Sequence, residues 1–349
     1  MFEELLRQWD GEEVVIRYDP PSGAWMFVCV HSTALGPAGG GTRMRVYEQP
    51  ADGLADAMRL SQAMTVKMAV AGCGRGGGKA VLAVPELPTG DARRALLLRY
   101  GTLVASLGGT YRTAGDMNIS PDDLDVVAET CPYVYGSTGA GGNSGWGTAR
   151  AVLHGIRASV EHVFGSADLA GRTVLVQGAG AVGHDLIRYL LEDGATVLVA
   201  DVDEARAAAT GAQVVPASEA LQTECDVLAP CAVGGVLNAE TIPQLRCRIV
   251  AGSANNQLAE PADAQRLQDA GILYAPDYVI NAGGVIQLVG IVDRHHDDEE
   301  LEASFAGVGD TLRQIYREAD AAGTTPAAAA ERLAAERIAQ GRLTETQRV

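Results

Sequence analysis

The sequence predicts an α/β protein of two domains, the second built on a parallel sheet. Three observations carry that expectation. The chain has 349 residues, too long for one ordinary core. A glycine-dense run, "GSTGAGGNSGWGTAR" (Gly136 to Arg150), changes the character of the chain near its middle. Beyond it, short β runs alternate with helical patterns: "RTVLVQGAG", "TVLVAD", "CDVLAPCA", "RIVAGSAN" and "ILYAPDYVIN". That alternation is what a parallel sheet covered by helices on both faces requires. The expected domains are therefore 1–137 and 138–324, with the segment 325–349 as a terminal helix.

Within the first part, "EEVVIRYDPPSGAWMFVCVHST" reads as two alternating strands around a Pro-Pro-Ser-Gly turn, a hairpin. In "QPADGLADAMRLSQAMTVKMAVAG", Leu54, Ala57, Met58, Leu60 and Met64 recur at helical spacing, and glycines end the helix. "KAVLAVPEL" follows as a strand. "ARRALLLRYGTLVASLGG" is an amphipathic helix with Gly108 and Gly109 as its C-caps. "SPDDLDVVAET" has Ser120 as N-cap, Pro121 at the first helical position and acids in the first turn. "TARAVLHGIRASVEHVFG" opens the second part as a helix. "TTPAAAAERLAAERIAQGRL" is an alanine-rich helix that closes the chain.

Composition excludes several functions. The net charge is −17 and the pI about 4.7, so neither nucleic acid nor an anionic membrane is an expected partner. The start, "MFEELLRQWDGEEVV", is acidic where a signal peptide would be basic, and no run reaches the ~18 apolar residues of a membrane span. Six cysteines are scattered singly and fit a reducing, cytoplasmic compartment as small buried groups. The histidines show no metal-binding spacing, and His295 and His296 in "DRHHDDEE" read as a solvated face, so no metal is expected.

"TVLVQGAGAVGHDLIRYLLEDGATVLVAD" places Gly178, Gly180 and Gly183 in GxGxxG spacing, with Ala181 and Val182 inside the motif. The first glycine closes a tight strand-to-helix turn, the second admits a pyrophosphate, and the third lets helix and strand pack closely. Asp201 ends the next strand, where its carboxylate would hold a ribose diol and repel a 2′-phosphate. These features predict a Rossmann-type domain binding NAD in preference to NADP, with Arg206 close by.

The chain has 27 cationic side chains and only two are lysine, Lys67 and Lys79 in "MTVKMAVAGCGRGGGKAV". Arginine cannot give up its proton in a protein, whereas lysine can. Two ammonium groups in one partly desolvated site lower each other's pKa, so one suits a substrate carboxylate and the other a base. Gly76, Gly77 and Gly78 are read as letting backbone crowd a small ligand beside Lys79. Asp116 in "TAGDMNISPDD" precedes the Ser120 cap and supplies a loop carboxylate for proton transfer.

"LGPAGGGTRM", "MTVKMAVAGCGRGGGKAV", "TAGDMN", "VQGAGAVG", "APCAVGGVLN", "AGSANNQL" and "YAPDYVINAGGVI" together resemble the Glu/Leu/Phe/Val amino-acid dehydrogenases, nearest those acting on leucine, valine, phenylalanine or tryptophan. The resemblance implies an N-terminal substrate-binding and oligomerisation domain with a mixed sheet, a C-terminal Rossmann domain and a cleft between. The terminal helix would rejoin the first domain, and a homo-oligomer is expected. The implied reaction is reversible, NAD-dependent deamination of an L-amino acid to the 2-oxo acid and ammonia. Lys67 matches the lysine that pairs with the substrate carboxylate, Lys79 the base that activates water, and Asp116 the carboxylate that exchanges a proton with the amine. Asn256 and the Gly40 backbone would help bind substrate, while Ser144, Thr148, Asn255 and Asn281 would contact the nicotinamide or its ribose. Asn255 and Asn281 are both expected to follow strand ends. Many relatives carry a proline near the serine of "GGNSGWGTAR", where this chain has Trp146 and Gly147.

For the side-chain pocket, Gly39 leaves more room than the bulkier residue usual in leucine-type enzymes. "VIQLVG", with Val285 and Leu288, resembles the phenylalanine enzymes, and Ala114 the aliphatic ones. An apolar substrate follows, aromatic by preference, with branched-chain substrates as the alternative. Two rivals stand beside this reading. A silent NAD-binding regulator would need no lysine pair, and a 2-hydroxy acid dehydrogenase would place a histidine in the strand-end motifs.

Overall fold

The computed structural model describes residues 2–139 and 141–346. The described chain forms two compact units. The first runs through Asn143 and adds Ile291–His295 and the residues from Ala334 on; the second takes Ser144–Gly290 and His296–Leu333.

The first unit carries five strands: β1 (Glu13–Asp19), β2 (Ala24–Ser32), β3 (Ala38–Arg45), β4 (Gly76–Ala83) and β5 (Tyr111–Gly115). Their order is β1-β2-β4-β3-β5. The hairpin β1–β2 and the pair β2–β4 are antiparallel, whereas β3 lies parallel to both β4 and β5. The helices are α1 (Phe2–Trp9), α2 (Pro50–Ala71), α3 (Gly90–Ala105) and α4 (Pro121–Ala128).

Strand alternation divides the sheet's residues between two faces. Ala38, Met44, Ala80, Leu82 and Tyr111 enter one buried cluster with Leu96, Leu97 and Tyr100 of α3 and Leu124 of α4. Val81 and Ala83 lie on the opposite face, in a cluster with Leu54, Ala57 and Met58 of α2. Lys79 precedes Val81 by two residues and shares its face.

Gly76, Gly77 and Gly78 do not leave space for a ligand, contrary to the sequence reading. A Cβ at Gly77 would lie 2.1 Å from the Thr65 backbone nitrogen of α2, one at Gly76 1.9 Å from the Ser32 carbonyl oxygen, and one at Gly78 2.7 Å from Tyr111. The missing side chains let β4 be packed tightly on all sides, which brings α2 down onto the sheet beside Lys79. Gly77→Ala is expected to destabilise the protein by about 3 kcal/mol, because the obstacle is backbone. A urea midpoint equal to that of the parent protein would show that α2 can lift freely.

The ends of these helices follow local chemistry. Gly72 closes α2 in the left-handed conformation at φ 64°. Ser120 and Asp123 form a reciprocal capping box with Pro121 in the first turn of α4. Helix α3 stops at Ala105, so Gly108 and Gly109 belong to the turn that follows and are not its caps.

The second unit is a six-stranded parallel sheet of β6 (Thr173–Gln177), β7 (Thr196–Ala200), β8 (Gln213–Val214), β9 (Val227–Pro230), β10 (Ile249–Val250) and β11 (Leu273–Tyr274). Its order, β11-β10-β9-β6-β7-β8, reverses direction between β6 and β9, the doubly wound dinucleotide topology. The helices are α5 (Gly145–Phe164), α6 (Ala181–Glu192), α7 (Glu204–Ala208), α8 (Asp263–Asp269), α9 (Asp277–Ile280), α10 (Gly283–Val289), α11 (Asp298–Ala322) and α12 (Pro326–Thr346). The last strand is shorter than expected. Pro276 interrupts it and Asp277–Ile280 turn helical, so Asn281 follows a helical turn and not a strand. Helix α12 is divided between the units at Leu333 and Ala334. Its Arg337 donates to the carbonyls of Ala69 and Val70 at 3.0 and 2.8 Å, capping the end of α2. No helix among the described residues is long and apolar enough to cross a membrane.

Candidate active site

In the first unit, register assembles the site. Gly39 pairs with Gly77 and Thr42 with Ala80, which sets Gly41 beside Lys79. Gly41 also pairs with Ala114 on β5, and the same step brings Arg43 level with Asp116 just past the strand end. Lys79 is 6% exposed, and its Nζ stands 2.7 Å from Asp116 Oδ2. Burial pushes the Lys79 ammonium below its ordinary value, against the pull of Asp116. Burial would raise the Asp116 carboxyl, but Lys79 and then Arg43 outweigh it and hold the group below the ordinary aspartate value. A Cβ at Gly41 would sit 3.0 Å from the Asp116 Cβ, so glycine here leaves Asp116 its place. Lys67 lies half-buried near the end of α2, with Met68 buried beside it.

Gly39 and Ala114 form small, apolar floor positions, Ala114 being buried. The room at Gly39 is not empty: a Cβ there would meet Met68 Cε at 3.1 Å and Tyr135 Cε2 at 3.7 Å. Gly40 faces the other way. Its carbonyl accepts from the Tyr111 hydroxyl at 2.7 Å, and a Cβ would strike the Gly78 carbonyl oxygen at 1.8 Å.

In the second unit the glycine motif opens α6. Gly178 has φ 104° and donates to the Ala200 carbonyl at 2.7 Å, and a Cβ there would press on Ala232 at 2.8 Å. A Cβ at Gly183 would lie 1.9 Å from the Gly178 carbonyl oxygen, whereas nothing stands within 4 Å of one at Gly180. The open side is therefore at Gly180, at the start of α6 with Ala181 and Val182 in its first turn, where free N–H groups favour a pyrophosphate. Asp201, 6% exposed at its side chain, accepts from the backbone N–H of Ala179 at 2.7 Å and of Asp203 at 2.8 Å. Those bonds outweigh burial and hold its carboxyl below the ordinary value. The residues present fit a dinucleotide.

Asn255, Asn256 and Asn281 also belong to this unit. Asn281 donates to Asn255 Oδ1 at 2.8 Å and to the Ser253 carbonyl at 3.1 Å, while Asn256 is exposed with φ 52°. The buried Gln257 braces their loop through the carbonyls of Gly252 and Ala254 at 2.8 and 3.0 Å. Ser144 and Thr148 come together over Gly284, whose Cβ would meet their hydroxyl oxygens at 3.1 and 3.0 Å. Val285 and Leu288, half-buried, lie on α10, four and seven residues beyond Asn281. Gly147 donates to Gln287 Oε1 at 3.1 Å, and a Cβ there would lie 3.0 Å from Phe305. Trp146 packs edge-on against Phe305 at 5.5 Å between ring centres. In this chain Trp146 and Gly147 thus fasten the start of α5 to α10 and α11.

Residues 23–133 match the family model of the Glu/Leu/Phe/Val dehydrogenase dimerisation domain, and residues 199–345 that of glutamate/leucine/phenylalanine/valine dehydrogenase. The valine dehydrogenase of Streptomyces albus is 44% identical over 347 residues, covering 96% of this chain and 94% of that protein. The chain belongs to the glutamate/leucine/phenylalanine/valine dehydrogenase family. A leucine dehydrogenase from Geobacillus stearothermophilus is 38% identical over 342 residues, covering 96% of this chain and 92% of that protein. Among solved structures, the L-tryptophan dehydrogenase of Nostoc punctiforme superimposes with a TM-score of 0.87 at 39% identity, covering 98% of this chain and 99% of that one. The protein is an amino-acid dehydrogenase, an oxidoreductase acting on CH–NH2 donors with a nicotinamide cofactor.

Sequence reasoning passed over Gly41, Arg43, Met68 and Tyr135 in this dehydrogenase. "GGGTRM" held a signal for two of them, since the third glycine and the arginine share a strand face. The contact of Met68 with Gly39 had none, because it depends on how far α2 descends onto the sheet.

Proposed function

We propose that this dehydrogenase carries out NAD-dependent, reversible oxidative deamination of an apolar L-amino acid to the 2-oxo acid and ammonia. The observation that supports it most is the buried Lys79, 2.7 Å from Asp116, on a face floored by Gly39, Gly41 and Ala114. Lys67 supplies the ammonium for the substrate carboxylate. A dinucleotide held at the Gly180 turn and by Asp201 would supply the acceptor for the hydride that leaves the substrate Cα. Neutral Lys79 then takes a proton from a water as that water's oxygen bonds to the iminium carbon. Asp116, within hydrogen-bond reach of Lys79, takes a proton from the substrate ammonium before hydride leaves and returns it to the nitrogen after water has added. The C–N bond then breaks to release ammonia, which takes up the hydroxyl proton as the carbonyl forms. NAD over NADP is supported by Asp201, and Arg206 is already engaged by Asp201 at 3.6 Å and Asp203 at 3.2 Å.

Gly39 under the flexible thioether of Met68 favours a large or aromatic side chain, since methionine yields to fit and makes good sulfur–aromatic contacts. The 43–44% identity to Streptomyces valine dehydrogenases favours a branched one. NADH or NADPH formation with twenty L-amino acids at alkaline pH separates the two. A peak on phenylalanine, tryptophan or tyrosine with NAD is the expected result. A peak on valine or leucine replaces the aromatic reading, and silence across the panel in protein that binds NAD overturns the proposed reaction. We also propose a homo-oligomer, because residues 23–133 match a dimerisation domain and β1 is an edge strand with Ile16 and Tyr18 exposed.

A further inference from the structure

Asp116 Oδ2 is shared by two cations, Lys79 Nζ at 2.7 Å and Arg43 Nε at 3.0 Å. The other arm of Arg43 donates to Asp56 Oδ2 at 2.8 Å, an oxygen that also accepts from the Tyr47 hydroxyl at 2.8 Å. Arg59 holds the second Asp56 oxygen at 2.8 Å. The charges therefore alternate along a row, Lys79, Asp116, Arg43, Asp56, Arg59, drawn from β4, the loop after β5, β3 and α2. Arg43 and Asp56 are 16% and 13% exposed at their side chains, so water screens the middle of the row weakly.

We propose that Arg43, anchored by Asp56 and Tyr47, is a positioning residue that fixes Asp116 for proton transfer and keeps it paired while Lys79 is neutral. The proposal rests on the assignment of Lys79 and Asp116 to the reaction. A base must spend part of each cycle uncharged. If Lys79 were the only partner of Asp116, its loss of a proton would leave a half-buried carboxylate without a cation, at a cost in free energy. Arginine keeps its charge throughout, and its rigid fork spans two carboxylates where a lysine grips one. The group that answers Asp116 is then independent of the group that titrates.

The groups facing Lys79 all enter the sign of the effect. Arg43 on β3 disfavours its charged form, after burial, while Asp116 and Asp56 favour it. Lys67 and Arg59 lie on α2, Cys29 stands opposite Lys79 on β2, and Arg45 lies over the Tyr47 ring at 5.3 Å. Removing Arg43 deletes a like charge and leaves Asp116 wholly to Lys79, and both changes make Lys79 hold its proton more tightly.

Arg43→Gln is therefore expected to move the ascending limb of the kcat–pH profile about one unit to the alkaline side, with KM little changed. Below the limb, kcat should fall about tenfold. Arg43→Lys should return the limb towards its original position but leave kcat reduced, because one ammonium cannot span Asp116 and Asp56. An unmoved limb with activity lowered equally at every pH would reduce Arg43 to a structural role and overturn the proposal. If Arg43→Gln does not fold, Arg43→Lys decides: parental kcat and limb together overturn the need for the fork. Failure of the underlying assignment shows separately, as activity surviving in Lys79→Arg.

Discussion

Lys79→Arg is expected to fold, to bind NADH and to lose about 10²- to 10⁴-fold in kcat, the range general base catalysis supplies. The substitution keeps a cation beside Asp116, so the 2.7 Å ion pair has a successor and the half-buried carboxylate stays paired. What it removes is the ability to become neutral, since a guanidinium retains its proton at every working pH. In the parent protein burial already biases Lys79 towards the neutral form. Its activity should accordingly rise with pH through the Lys79 titration, and the arginine variant should lack that limb. Near-UV circular dichroism and NADH titration establish that fold and cofactor site are intact. Near-parental turnover in that protein would remove Lys79 from the base role.

The second large effect is expected at Gly183. Its missing Cβ would stand 1.9 Å from the Gly178 carbonyl oxygen, and Gly178 is itself confined by φ 104° and by Ala232. Gly183→Ala must push either the start of α6 or the turn out of place. A displacement of that size should weaken NADH binding on the order of 100-fold. Gly180→Ala provides the contrast, because nothing lies within 4 Å of its Cβ. The protein should accept that alanine with an unchanged melting temperature, and affinity lost there reports crowding of the cofactor itself. NADH fluorescence titration of both variants, with thermal melts, checks the pair. Parental affinity in Gly183→Ala would mean that the turn relaxes at no cost to the site.

Some of this protein was written in short-range chemistry. The capping box of Ser120 and Asp123, the left-handed Gly72 and the glycine spacing of Gly178, Gly180 and Gly183 depend on neighbours within a few residues. Two lysines among arginines singled out Lys67 and Lys79, because a lysine can give up its proton where an arginine cannot. The third dimension decided the remainder. Gly77 acts in packing between sheet and helix while Gly76 and Gly78 admit Ser32 and Tyr111, Met68 reaches across to Gly39, and Asn281 follows a helical turn after Pro276. Arg43 meets Asp116 across 73 residues of chain only because β3 and β5 pair in one register. A step of one residue would have turned Arg43 to the opposite face. Which residue types could do the chemistry was therefore determined by the sequence, and which of them meet was determined by register and by the depth of helix packing.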